Sequence, residues 1–177
     1  MKTSLINFAL FQLGWFGCVL SSAAGRPWLG AVLAVAIIGW HLWRAPSPTA
    51  ELKLIGMAIL IGALWDSLLV WQGWLAYQHG MLLPYAAPYW IVIMWALFAT
   101  TLNVSLRWLR QRWWYAVVLG AIGGPLAYYA GQGLGAVEFV HIRNALLALL
   151  FGWAVFTPLL MALSRRYDGY AAARAGI

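Results

Sequence analysis

The chain is short of charge: only 8% of its 177 residues are Asp, Glu, Lys or Arg, and four are acidic. A soluble domain carries about 25% charged residues, so this chain lacks what keeps a folded surface in water. A single cysteine, Cys18, excludes an intrachain disulfide framework and any Cys-based zinc or iron-sulfur site within one chain. Its bulky context, Trp15-Phe16-Gly17, suits a packing residue better than a lipoprotein cleavage box. Nucleotide fingerprints, Walker motifs, histidine boxes and nucleophile elbows are all missing. The usual redox, hydrolase and ATPase chemistries lack their parts, so no cofactor is expected and a non-enzymatic role is favoured.

What the chain does have is apolar mass. Hydrophobic residues make up 64% and aromatic residues 16%, with a mean hydropathy of +0.80. Apolar runs bounded by charge, Pro or Gly fall at about 5–24, 27–43, 54–77, 89–106, 114–132 and 142–163. A spanning helix needs about 20 residues, and continuous apolarity in lipid favours helices, which satisfy their own backbone. The expected fold is an all-α, six-span transmembrane bundle forming one domain. Lys2 followed by an apolar stretch has the outline of a signal peptide, but about 20 apolar residues interrupted by Asn7 and Gln12 exceed an h-region of about 7–15. A retained first span is expected.

The formal charge of +7 is explained by topology. With the N-terminus inside, Lys2, Arg44, Lys53, Arg107, Arg110, Arg112, Arg165, Arg166 and Arg174 lie on the cytoplasmic side, and only Arg26 and Arg143 lie outside. This positive-inside split predicts both termini in the cytoplasm. It leaves no basic face for nucleic acid. Trp28, Trp43, Tyr77, Tyr89, Trp90, Trp108, Trp113 and Trp114 fall at the span ends, where aromatic belts form.

An internal echo appears at an offset of 58 residues. Gly62, Ala63, Leu68 and Gly73 align with Gly120, Ala121, Leu126 and Gly131, and Trp95, Ala96, Phe98, Leu102 and Arg107 with Trp153, Ala154, Phe156, Leu160 and Arg165. Spans 3 and 4 would then repeat as spans 5 and 6 in parallel orientation. The echo sets Asp66 opposite Gly124 of Gly123-Gly124-Pro125, a step expected to break the fifth helix beside an interior cavity.

Three groups of residues are candidates for chemistry. Asp66 is the one acid at midplane depth, where a charge costs about 2.5–3.5 kcal/mol. It is either a proton or ligand group facing the cavity with Gly124 and Pro125, or a hydrogen-bonded pin between helices. Glu138, His141, Arg143 and Asn144 form a polar cluster at the outer mouth. It reads as a head-group or substrate contact, or as a solvated cluster with a Glu138–Arg143 ion pair. The i, i+3 spacing of Glu138 and His141 resembles that of di-iron bundles, but too few other carboxylates exist to complete a metal site. Thr100, Asn103 and Arg107, with Thr101 and Ser105 beside them, form a stripe on the fourth span. That stripe is either interhelical glue or the lining of a cytoplasmic pocket that Asn7 and Gln12 reach. Gly120-x-x-x-Gly124 and Gly131-x-x-x-Gly135 read as close-packing patterns.

Two longer stretches carry a resemblance. Trp95-Ala-Leu-Phe-Ala-Thr-Thr-Leu-Asn-Val-Ser-Leu-Arg-Trp-Leu109 and Gly120-Ala-Ile-Gly-Gly-Pro-Leu-Ala-Tyr-Tyr-Ala-Gly131, with Leu134-Gly135-Ala136, are similar to the signatures of domain-of-unknown-function family 2878. The opening Ile6-Asn7-Phe8 with Phe11-Gln12 resembles the family's start. The resemblance implies a small polytopic protein of the bacterial inner membrane, with membrane lipids and lipid-modifying enzymes as partners and no mapped catalytic motif. Three functions follow as expectations. The favoured one binds, positions or moves a lipid or modified acyl chain for partner enzymes. The alternatives are a proton-coupled small-solute transporter using Asp66, and a lipid head-group enzyme using Glu138, His141 and Arg143.

Overall fold

The computed structural model describes residues 2–171, and its regular structure is helical apart from one pair of two-residue strands. Six α-helices follow in chain order: α1 (Lys2–Ala23), α2 (Pro27–Arg44), α3 (Pro48–Trp71), α4 (Tyr89–Leu102), α5 (Trp113–Gly133) and α6 (Ile142–Arg166). A short 3-10 turn, Arg107–Gln111, joins α4 to α5. Pro27 and Pro48 open α2 and α3, where a missing N–H costs nothing and the fixed φ suits a first turn.

Helices α1, α3 and α6 are each long and apolar enough to cross a membrane. Large apolar side chains also face outward: Leu60, Leu64 and Leu68 on α3 are 56%, 66% and 41% exposed. An apolar face this continuous is out of place in water, which marks the chain as a membrane protein.

Several boundaries differ from the sequence expectation. Helix α3 begins six residues earlier, at Pro48, and stops at Trp71. The chain then turns through Gly73, at φ 66°, into a two-residue strand, β1 (Leu75–Ala76). β1 pairs antiparallel with β2 (Glu138–Phe139), tying the α3–α4 and α5–α6 loops together. Helix α4 ends at Leu102 rather than near 106. The hydroxyls of Thr100 and Thr101 turn back onto the carbonyls of Leu97 and Phe98, at 2.7 and 2.6 Å, and the Thr101 carbonyl accepts from both Val104 and Leu106. These local bonds compete with continued helix. The expected break at Gly123-Gly124-Pro125 is absent, because α5 runs unbroken through Pro125.

Close packing at glycine explains that continuity. A Cβ on Gly120 would lie 2.1 Å from the Trp153 carbonyl, and one on Gly124 would lie 2.2 Å from the Trp153 ring, so α5 lies flush against α6. Gly62 makes the same kind of approach to Trp95 on α4, and Gly30 to the α1 backbone at Cys18. Gly131 and Gly135 do not extend this pattern between helices. The nearest atom to a Gly131 Cβ belongs to Val137, and Gly135 makes a turn at φ 83°. Cys18 is fully buried. Of the expected interfacial aromatics, Trp28, Trp43, Trp108, Trp113 and Trp114 are exposed, but Tyr77 and Trp90 are core. Their rings meet edge to face at 5.7 Å, and Trp90 Nε1 donates to the His79 carbonyl at 3.1 Å.

Candidate functional site: an apolar groove beside a buried carboxylate

Helix α1 packs on α2 and α4, and α5 packs on α6. Between these two groups runs a cavity of about 450 Å³, within the range of about 300–1,000 Å³ typical of ligand pockets. Phe8, Phe11 and Trp15 of α1 form one wall, and Gly123, Gly124 and Tyr128 of α5 form the facing one. Met94 and Phe98 of α4 and Trp153 of α6 contribute to the floor. Gln12 and Thr157 add polar atoms to a lining that is otherwise nearly all apolar. The cavity is open sideways, since Phe8, Leu119 and Leu126 on its rim are 49%, 41% and 60% exposed. Along α5 it runs from Leu119 to Ala130, about 16 Å at 1.5 Å per residue. It is an elongated slot parallel to the helices.

Asp66 lies behind this slot, fully buried. Tyr128, on the cavity wall, donates its hydroxyl to Asp66 Oδ1 at 2.5 Å. Trp95 donates Nε1 to Oδ2 at 2.7 Å. The Trp95 ring stacks on Trp153 with centroids 4.6 Å apart and planes 14° from parallel. Gly124 lines the cavity and Asp66 does not, and the two are linked only through other side chains. Gly124 seats Trp153, Trp153 stacks on Trp95, and Trp95 binds Asp66. Pro125 does not line the cavity.

Thr100 and Asn103 belong elsewhere. Asn7 of α1 donates Nδ2 to the Thr100 carbonyl at 3.1 Å and accepts the Ser105 hydroxyl at 2.7 Å, so this part of the stripe ties α1 to the end of α4. Asn103 stands in a buried polar latch at the basic end. It donates to Glu51 and to the Tyr167 carbonyl, and accepts from Arg110. Glu51, with no exposed surface, also accepts from His41 Nε2 at 2.7 Å and from the Gly169 N–H at 2.8 Å. Arg110 reaches Ser164 Oγ and its carbonyl, and pairs with Asp168 at 2.8 Å. Arg107 meets the same Asp168 oxygen at 2.6 Å. Tyr170 closes the latch by donating to the His41 carbonyl at 2.8 Å. Burial alone would raise the Asp168 carboxyl, but the hydrogen bond and charge of Arg110, the Tyr170 N–H and Arg107 together hold it below the ordinary aspartate value. Burial, then the Glu51 charge, pushes the Tyr170 hydroxyl up to about 12.

The outer cluster is not an enclosed site. Glu138, His141, Arg143 and Asn144 are all exposed. Among the described residues, the ion pairs join His41 to Glu51 and Arg107 and Arg110 to Asp168, so the expected Glu138–Arg143 pair is not made. No group of three or more metal-ligating side chains assembles among the described residues.

Sequence reasoning missed the latch, although a signal was present. Two of only four acids, Glu51 and Asp168, flank the ends where most of the cations gather, and scarce acids among cations are expected to pair with them. It also missed the donors of Asp66, because Tyr128 and Trp95 are one aromatic each among many.

Residues 4–159 match the model of a protein family of unknown function, DUF2878. The chain belongs to that family. The match takes in every residue of the groove and the Asp66 network, and stops short of Ser164, Asp168 and Tyr170 of the latch. No curated protein and no solved structure matches the chain.

Proposed function

We propose that this protein is a non-enzymatic membrane component that holds a lipid acyl chain in the α1–α5 groove. The observation that carries this reading is the elongated, laterally open, nearly all-apolar cavity of about 450 Å³. An acyl chain entering sideways from the bilayer meets aromatic and glycine surface along the length of the slot, and no charge faces it. In this reading the helices cross a bacterial inner membrane six times with both termini in the cytoplasm, an orientation in which the groove would run parallel to the lipid chains. The stacked Trp95 and Trp153 supply a rigid floor and support reading α3–α4 and α5–α6 as a parallel repeat. Lipid-modifying enzymes are the partners to which such a component would present its chain.

Gly123 provides the test. A Cβ at this position meets nothing within 4 Å although the residue lines the groove, so Gly123→Leu starts from open space and sends its bulk into the slot. Lipids retained by the protein in native membrane discs would be measured by mass spectrometry. The reading predicts a species enriched over the bulk membrane with wild type and lost with Gly123→Leu. Bound lipids that mirror the bulk in both proteins would contradict it.

A proton-coupled transporter is the second reading, favoured by the burial of Asp66 one side chain away from the cavity. It predicts solute uptake into proteoliposomes that follows a pH gradient and is lost with Asp66→Asn. The near absence of polar lining supports the lipid reading over this one.

A further inference from the structure

The groove's two ends differ in charge. At the basic end, its walls begin at Phe8 on α1 and Leu119 on α5. Lys2 and Arg112, at the starts of α1 and α5, precede these by six and seven residues, about 9–11 Å along the helix axes. Both are exposed, and among the described residues neither joins an ion pair, whereas Arg107 and Arg110 are taken up by Asp168. The Arg112 guanidinium lies 5.7 Å over the Tyr115 ring, and a guanidinium stacked on a ring can still donate its N–H groups to an anion. Helix α5 starts here with no side-chain cap and no acid in its first turn, so its unpaired N–H groups add positive potential. The far end of the groove approaches the carbonyl end of α5, where the helix dipole repels anions.

The lengths agree with a phospholipid. The polar zone of each leaflet is about 5–8 Å thick, half the difference between a whole bilayer of about 40–45 Å and its hydrocarbon core of about 30 Å. A chain lying in the groove from Phe8 onward therefore brings its phosphate to the level that the long Lys2 and Arg112 side chains reach.

We infer that the groove selects an anionic phospholipid from the leaflet at the basic end, one acyl chain lying in the slot and the phosphate held between Lys2 and Arg112. This rests on the acyl-chain reading above and adds the head-group class and the leaflet.

The experiment uses the full chain in phosphatidylcholine vesicles with spin-labelled phosphatidylglycerol or phosphatidylcholine of identical chains, and reads the motionally restricted fraction by electron paramagnetic resonance. The population lost on Gly123→Leu is the groove population. It should favour phosphatidylglycerol by about fivefold per contributing cation at low salt. That preference should fall with added salt and nearly vanish in Lys2→Gln/Arg112→Gln, which keeps the restricted phosphatidylcholine. Equal groove populations for the two lipids, or a preference that survives the double substitution, would overturn the inference and leave the groove reading standing. A restricted fraction unchanged by Gly123→Leu would remove both.

Discussion

Asp66 is held by two donors of different kinds, and the difference predicts which substitutions it tolerates. Trp95 Nε1 can only donate, whereas the Tyr128 hydroxyl can donate or accept. Asparagine satisfies both if its carbonyl faces Trp95 and its amide faces Tyr128, so Asp66→Asn should keep a wild-type unfolding temperature. Asp66→Leu leaves two buried donors unpaired, at about 1–3 kcal/mol each, and should unfold well below wild type in the same discs. Equal stability of the two variants would show that these bonds hold nothing together. The glycines make a parallel pair. Gly123→Leu should fold, while Gly124→Leu, whose Cβ would lie 2.2 Å from the Trp153 ring, should be strongly destabilised by overpacking. Thermal unfolding followed by tryptophan fluorescence checks both.

The element that most needs its neighbours is the segment after α6, pinned by Arg110, Asn103 and Glu51. Gly169 is required there, since a Cβ would lie 2.5 Å from Glu51 Cγ and 2.6 Å from the Ser47 carbonyl. Arg110 is buried and bonds four oxygens of three residues through a planar fork, which lysine cannot reproduce. Arg110→Lys should cost about 3 kcal/mol and speed tryptic cleavage at Arg165 and Arg166 severalfold. Cleavage at the wild-type rate would mean the latch does not restrain this segment. Asp168 sets its pH dependence. Its carboxyl sits below the ordinary value of about 3.9, so its stabilising contribution is complete above that value and is lost as pH falls through the lower folded-state value. Hydrogen exchange at Tyr167 to Tyr170 should be flat from pH 7 down to about 4, after correction for intrinsic rates, and rise below that. Asp168→Asn should show the raised exchange at every pH.

At the scale of the whole molecule, the helices stand where apolar runs met charge, Pro or Gly, because composition decides where lipid-facing helices form. Those parts were legible. The ends of α3 and α4 were not, since a positive-φ turn at Gly73 and the back-bonding hydroxyls of Thr100 and Thr101 stop these helices inside runs whose apolarity continues. The unbroken α5 was illegible for a different reason: packing of Gly120 and Gly124 on α6 outweighs the local cost of Pro125. Asp66 stood out as an acid among apolar residues and a cavity was expected beside Gly124, but the groove's aromatic wall on α1 and its sideways opening were not legible, because that lining matches any lipid-facing surface. The proposed six-crossing arrangement makes its own prediction. In a Cys18→Ala background, Gln78→Cys should react with an impermeant maleimide from outside intact cells, and Gln111→Cys only after permeabilisation. Reaction of both from one side would rule out an N-in, six-crossing path.

The most direct measurement is photo-crosslinking with a phospholipid bearing a diazirine along its acyl chain, followed by peptide mapping of the wild-type protein in native membrane discs. The account predicts adducts concentrated on residues 8–15 of α1 and 119–130 of α5, and lost in Gly123→Leu. Adducts spread evenly over outward positions such as Leu60, Leu64 and Val155, with no excess in the groove, would contradict it.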